Sequence, residues 1–136
     1  LSDIDNIEKV QRYYTKRLHG MWAVPYGERL SICDLETLES RRLKFDLILC
    51  YKILHNLIEL KFNDFFEYDP NSRTRGHNLK LRIPLCKNKA RKNFFAVRVI
   101  PVWNSLPGYF VNSVSLIQFK SFIVQHDISN YLNRKY

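Results

Sequence analysis

The chain has 136 residues, 46% of them hydrophobic with nineteen Phe, Tyr and Trp, and sets 22 Lys plus Arg against 13 Asp plus Glu for a formal charge of +9. That length fits one ordinary domain with a core of its own, and the aromatic content excludes a disordered chain, which needs low hydrophobicity and few aromatics. Cys33, Cys50 and Cys86 are odd in number and widely spaced, which suits reduced thiols rather than a secreted disulfide framework. No apolar run approaches the roughly 20 residues of a membrane span. The opening LSDIDNIEKV is too polar for a signal peptide, so an intracellular protein is expected. A chain that begins with Leu is also expected to be a piece of a longer one.

In chain order, Ile4, Ile7, Gln11, Tyr14 and Leu18 recur at helix-face spacing between a Ser2/Asp5 cap and Gly20. They predict a first helix over about 3–18 with these residues inward. Lys9, Arg12, Lys16 and Arg17 take its other face and read as solvated surface. Pro25 stands where a helix begins and predicts a short one carrying Leu30 and Ile32 inward. From Leu38 to about Leu57, the residues Leu43, Leu47, Cys50, Tyr51, Leu54 and Ile58 lie on one stripe with no Gly or Pro inside, the strongest helix signature in the chain. His55 near its end reads as a residue favoured by the helix dipole rather than as a ligand.

FNDFFEYDPN predicts one turn of helix and then a break at Asp69, Pro70 and Asn71. Beyond it, NLKLRIP alternates Leu79, Leu81 and Ile83 with Lys80 and Arg82. That alternation predicts a half-buried strand with a cationic outer face, ended or held at a sheet edge by Pro84. KNKARKN reads as a polar loop; Phe94 and Phe95 beyond it could stack bases, but their apolar flanks read as core. FFAVRVIPVWNSLP is apolar on both faces and could begin as helix or strand; a helix kinked near Pro101 is the preferred expectation, with Trp103 as a core anchor. A last helix over about 114–126 opens on Ser113 or Ser115 and buries Leu116, Phe119 and Ile123 or their neighbours. The expected fold is mainly α, a small helical domain with a short β-strand or hairpin element near residues 78–84. It forms a single domain over 1–136, with a helical subdomain over about 1–69 and the basic strand and loop plus C-terminal helices over about 70–136.

Much chemistry is missing. No His or Cys pair has the close spacing of a zinc knuckle, and Gly20, Gly27, Gly76 and Gly108 are too isolated for a phosphate-binding loop. No metal or other cofactor is therefore expected. Acids stop at Asp69 and resume at Asp127. Asp3, Asp5, Glu36 and Glu39 read as cap and first-turn residues rather than as paired metal-binding carboxylates. Cys50 falls on a buried stripe and reads as packing, not as a nucleophile.

The positive charge is concentrated instead. Residues 71–98 hold nine cations and no acid, and the rest of the chain is balanced. Clustered Arg and Lys with aromatic residues nearby form the electrostatic footprint of a nucleic-acid binder. Arg73, Arg75, Lys80, Arg82, Lys87, Lys89, Arg91 and Lys92 are the candidate backbone contacts, with the arginines able to clamp phosphate through two donors. If five to seven of the nine cations met phosphates, log K would fall against log salt with a slope of about −4 to −6 on duplex. A solvated basic surface, or a patch for acidic protein or anionic lipid, would carry the same composition. Charges on a strand and loop lack the deep apolar face that inserts into membranes.

Several stretches, taken in order, resemble a known family. IEKVQRYYTKRLHGM, PYGERLSICDLETLESRRLKFDLILCYKILHN, FFEYDPNSRTRGHNLKL, RKNFFAVRVIPVWNSLP and SLIQFKSFI are similar to the region after the polymerase core in LINE-type non-LTR retrotransposon reverse transcriptases of the jockey-like group. The resemblance covers nearly the whole chain and departs from the family at Pro101, where a helix-compatible residue is usual. The Tyr-x-Asp-Asp polymerase turn and any sign of the upstream endonuclease are absent from the sequence. The resemblance therefore implies a part that is not an enzyme on its own. It implies RNA or DNA as partners, here template RNA, RNA–DNA hybrid or target DNA, together with the upstream polymerase core, and a place in nucleus and cytoplasm with no membrane partner. The rival expectation is a structural or protein-interaction domain packing on that core, which an exposed apolar patch on the first helix would favour.

Overall fold

A computed structural model describes residues 2–70 and 76–132. Among the described residues the chain is mainly helical, with eight α-helices and no strand. It divides into two compact units, one of residues 1–43 with 127–136 and the other of residues 44–126. The expected change of subdomain near residue 70 falls inside the second of these.

The first unit contains α1 (Ser2–Lys16), α2 (Tyr26–Ile32), the opening turns of α3 (Leu38–Leu54) and a 3-10 turn at Ser129–Tyr131. Helix α1 forms where expected, but with a different face inward. Ile7 is 55% and Tyr14 67% exposed, whereas Glu8 and Thr15 are buried. The reason is hydrogen bonding. The Glu8 carboxylate accepts the Tyr26 hydroxyl and, at 2.9 Å, the Leu38 N–H, and the Gln11 amide donates to the Tyr26 oxygen and to the Glu36 carbonyl. Thr15 donates back to the Gln11 carbonyl. Buried polar groups persist when each finds a partner, so α1 is fastened by a polar seam. Burial, and then the bond to Glu8, raise the Tyr26 hydroxyl well above its ordinary pKa. The buried Arg29 guanidinium donates to the Val24 and Arg12 carbonyls.

Pro25 sits just before α2 as its cap rather than inside it. Leu30 is buried as expected, but Ile32 is 60% exposed. Helices α2 and α3 end alike. Asp34 and Asn56 take left-handed φ values of 51° and 52°, and the following N–H reaches back five residues in each case, Leu35 to Leu30 and Leu57 to Lys52, both at 2.8 Å. These are Schellman closures without glycine.

The second unit holds the rest of α3, then α4 (Phe62–Phe65), α5 (Lys89–Lys92), α6 (Phe95–Ser105), α7 (Gly108–Val111) and α8 (Leu116–Gln125). Leu47, Cys50 and Tyr51 of α3, Trp103 of α6, and Phe119 and Ile123 of α8 are almost wholly buried. Tyr51 stacks on Phe119 with centroids 4.3 Å apart and donates its hydroxyl to the Ser113 carbonyl at 2.7 Å. Ile53 is buried where Leu54 and Ile58 were expected, and both of these are half-buried. His55 stacks on Tyr51, and its Nε2 meets the Val111 carbonyl. Pro101 lies on the exposed side of α6, where its missing N–H costs a single helix bond. Ser115 caps α8 by accepting the Gln118 N–H, while the Gln118 side chain accepts from Val114 N–H, a near relative of the capping box.

Three further expectations need correction. The strand predicted near residues 78–84 is an isolated antiparallel bridge between Tyr68 and Leu81. KNKARKN is not wholly loop, because Asn88 accepts the Ala90 N–H and starts the short helix α5. Phe94 is 52% exposed, not core.

Candidate nucleic-acid interface

The basic segment is held by two consecutive residues of α6. Trp103 donates its indole N–H to the Leu79 carbonyl at 2.9 Å, and its own carbonyl accepts from His77 Nε2 at 3.0 Å. Asn104 then clamps Leu81 with its side-chain amide, accepting the Leu81 N–H at 2.8 Å and donating to the Leu81 carbonyl at 2.7 Å. On its other side the segment pairs with residues 67–69, through Asp69 N–H to Lys80 O and Arg82 N–H to Glu67 O. The amide of Asn104 thus stands where a second strand would, which is why a period-2 sequence stays a single extended stretch. Sequence reasoning missed Asn104. The available signal was an amide beside a core Trp in VWNSLP.

His77 is buried with Nε2 as donor, and its Nδ1 has no partner among the described residues. Burial is the main cause that lowers its pKa, the nearby Lys80 ammonium lowers it further, and the bond to Trp103 opposes both. Gly76, next in the chain, has φ of +123°, and a Cβ there would stand 3.1 Å from Lys80 Cε. Glycine therefore suits this turn on both backbone and packing grounds.

The eight expected contact residues separate on this frame. Arg73, Arg75 and the side chain of Lys89 lie outside the described residues. Lys80 is half-buried and already engaged. Arg82 is exposed but paired with Glu67 at 3.0 Å. Lys87, Arg91 and Lys92 are exposed, and no ion pair holds them among the described residues. Arg98, the ninth cation of the window, is committed to structure, gripping Asp46 with two bonds of 2.6 and 2.9 Å. Among the described residues, the exposed cations that no ion pair holds thus lie at positions 87, 91 and 92, beyond the extended stretch.

Beside these cations lies an open groove of about 460 Å3, with Arg82 and Arg91 on its rim and Phe94 and Leu85 along its wall. Among the described residues no group of three or more His, Cys, Asp and Glu could hold a metal ion, and no helix is long and apolar enough to cross a membrane. No family model, curated protein or solved structure matches the chain.

Proposed function

We propose that the chain is the C-terminal, non-catalytic part of a LINE-type retrotransposon reverse transcriptase, binding template RNA, RNA–DNA hybrid or target DNA through its basic segment. The observation that carries this is the exposure of Lys87, Arg91 and Lys92 within a stretch, residues 70–126, that contains no acid. Cations without carboxylate partners are free to replace the counterions of a phosphate backbone. On this reading the chemistry of nicking and copying belongs to the rest of the parent protein. The ordered resemblance described above supplies the family, and the accessible cations supply the contacts.

The test is a salt series of binding to an RNA hairpin, an RNA–DNA hybrid and a DNA duplex. The purified chain is compared with a Lys87→Ala/Arg91→Ala/Lys92→Ala variant. Loss of three phosphate contacts should flatten the slope of log K against log salt by roughly 2 to 3. A slope unchanged in the variant, or no binding by either protein, would remove the basic segment from the function.

A second reading has its own observation. Ile7, Val10, Tyr13 and Tyr14 put more than half of their surface outward on α1, an apolar patch that suits a domain packing on the polymerase core. Failure of every nucleic acid to bind would leave this as the role of the chain.

A further inference from the structure

We infer that the groove beside α5 and α6 receives an unpaired nucleobase, so that the chain prefers single strands to duplex; this rests on the nucleic-acid reading above. The groove measures about 460 Å3, within the roughly 300–1,000 Å3 of small-ligand sites. Phe66, Ala96 and Ile100 give it an apolar, buried floor. Phe94 lines it while leaving 52% of its own surface in solvent, and Leu85 is fully exposed at its edge. An aromatic face that the protein itself leaves uncovered is what a base stacks on.

The choice of occupant follows from charge. Residues 76–98 carry seven cations and no acid. Of the two acids on the groove, Glu67 is neutralised by Arg82 at 3.0 Å. Asp64 remains, with Asn63 beside it, and can accept the exocyclic amine of a base. Arg91 on the rim and the exposed Lys87 and Lys92 would take the flanking phosphates. An apolar peptide would fill the groove equally well but would leave those cations unanswered. A duplex would answer the cations but keep its bases stacked out of reach. A single strand satisfies both.

The experiment uses an unstructured RNA strand and the duplex it forms with its complement, against the full chain, Phe94→Ala and Phe94→Trp. Phe94 is half-exposed, so neither substitution disturbs a packed position. Phe94→Ala should weaken single-strand binding by about tenfold, the scale of one lost stacking contact, with duplex binding and the salt slope unchanged. The indole of Phe94→Trp should be quenched by the single strand and not by the duplex. Equal affinity of Phe94→Ala and the parent for the single strand, with no quenching, would overturn the inference. If binding still fell in the Lys87/Arg91/Lys92 variant, the wider function would stand. Quenching by an apolar peptide but by no RNA would overturn both.

Discussion

Replacing Asn104 by Ala removes one amide and strands two backbone groups. Leu81 is wholly buried, and its N–H and C=O are bonded to the Asn104 side chain at 2.8 and 2.7 Å. Each buried group left without a partner costs about 1–3 kcal/mol. Asn104 itself is half-buried, so water can reach part of the gap, and the lower half of the summed range, about 2–4 kcal/mol, is expected. Asn104→Asp keeps the acceptor for Leu81 N–H and turns a carboxylate oxygen toward the Leu81 carbonyl, so it should cost at least as much at neutral pH. Urea unfolding is followed by the fluorescence of the buried Trp103 in a Trp22→Phe background, since Trp22 is 75% exposed and contributes little to stability. Because Asn104 anchors the basic segment, on the nucleic-acid function proposed above RNA affinity at fixed salt should fall along with stability. An Asn104→Ala variant within about 0.5 kcal/mol of the parent, the spread of ordinary surface changes, would refute the clamp.

Four further outcomes are expected. Arg98→Met should destabilise by about 2–4 kcal/mol and exceed the cost of Asp46→Asn in the same titration, because it strands a carboxylate that is only 10% exposed whereas Arg98 keeps 30%. His77 has a folded pKa below its unfolded value, so the unfolded chain binds the extra proton. Stability is then complete above about pH 6.5 and is lost as pH falls toward the folded pKa, and thermal melts of His77→Gln should show a shallower acid slope than the parent. Ser115→Ala should cost about 1 kcal/mol through loss of the α8 cap, while Asp34→Gly, at φ of 51°, should be neutral or gain up to about 1 kcal/mol in the same unfolding assay.

The helices were legible in the sequence wherever an apolar stripe coincided with a cap. Helix α3 carried an uninterrupted stripe, and α8 carried Ser115 and Gln118 three residues apart. Helix α1 was legible as a helix but not as a face, because periodicity counts apolar residues and its buried side is made of Glu8, Gln11 and Thr15. The partners of Glu8 and Gln11 lie 15 to 30 residues away, beyond any local pattern. The missing strand has a similar origin. Alternation predicts the burial of Leu81 correctly but not that of Ile83, which is 59% exposed, and it does not say whether the backbone finds a neighbouring strand or a side-chain amide. In the candidate site, the charge cluster was visible from composition alone. Which cations remain available was not, since Arg82 and Arg98 are held by Glu67 and Asp46, residues from the distant acidic half of the chain.

The polar seam of α1 also sets where that helix can sit. A greasy contact tolerates sliding, because one apolar side chain replaces another with little penalty. Here a slip of one turn would bring Arg12 to the place of Glu8, turning a guanidinium toward the Tyr26 hydroxyl and the Leu38 N–H, two donors with nothing left to accept them. Directional bonds therefore give α1 a single address, and its outward face, whatever it meets, is presented in one orientation.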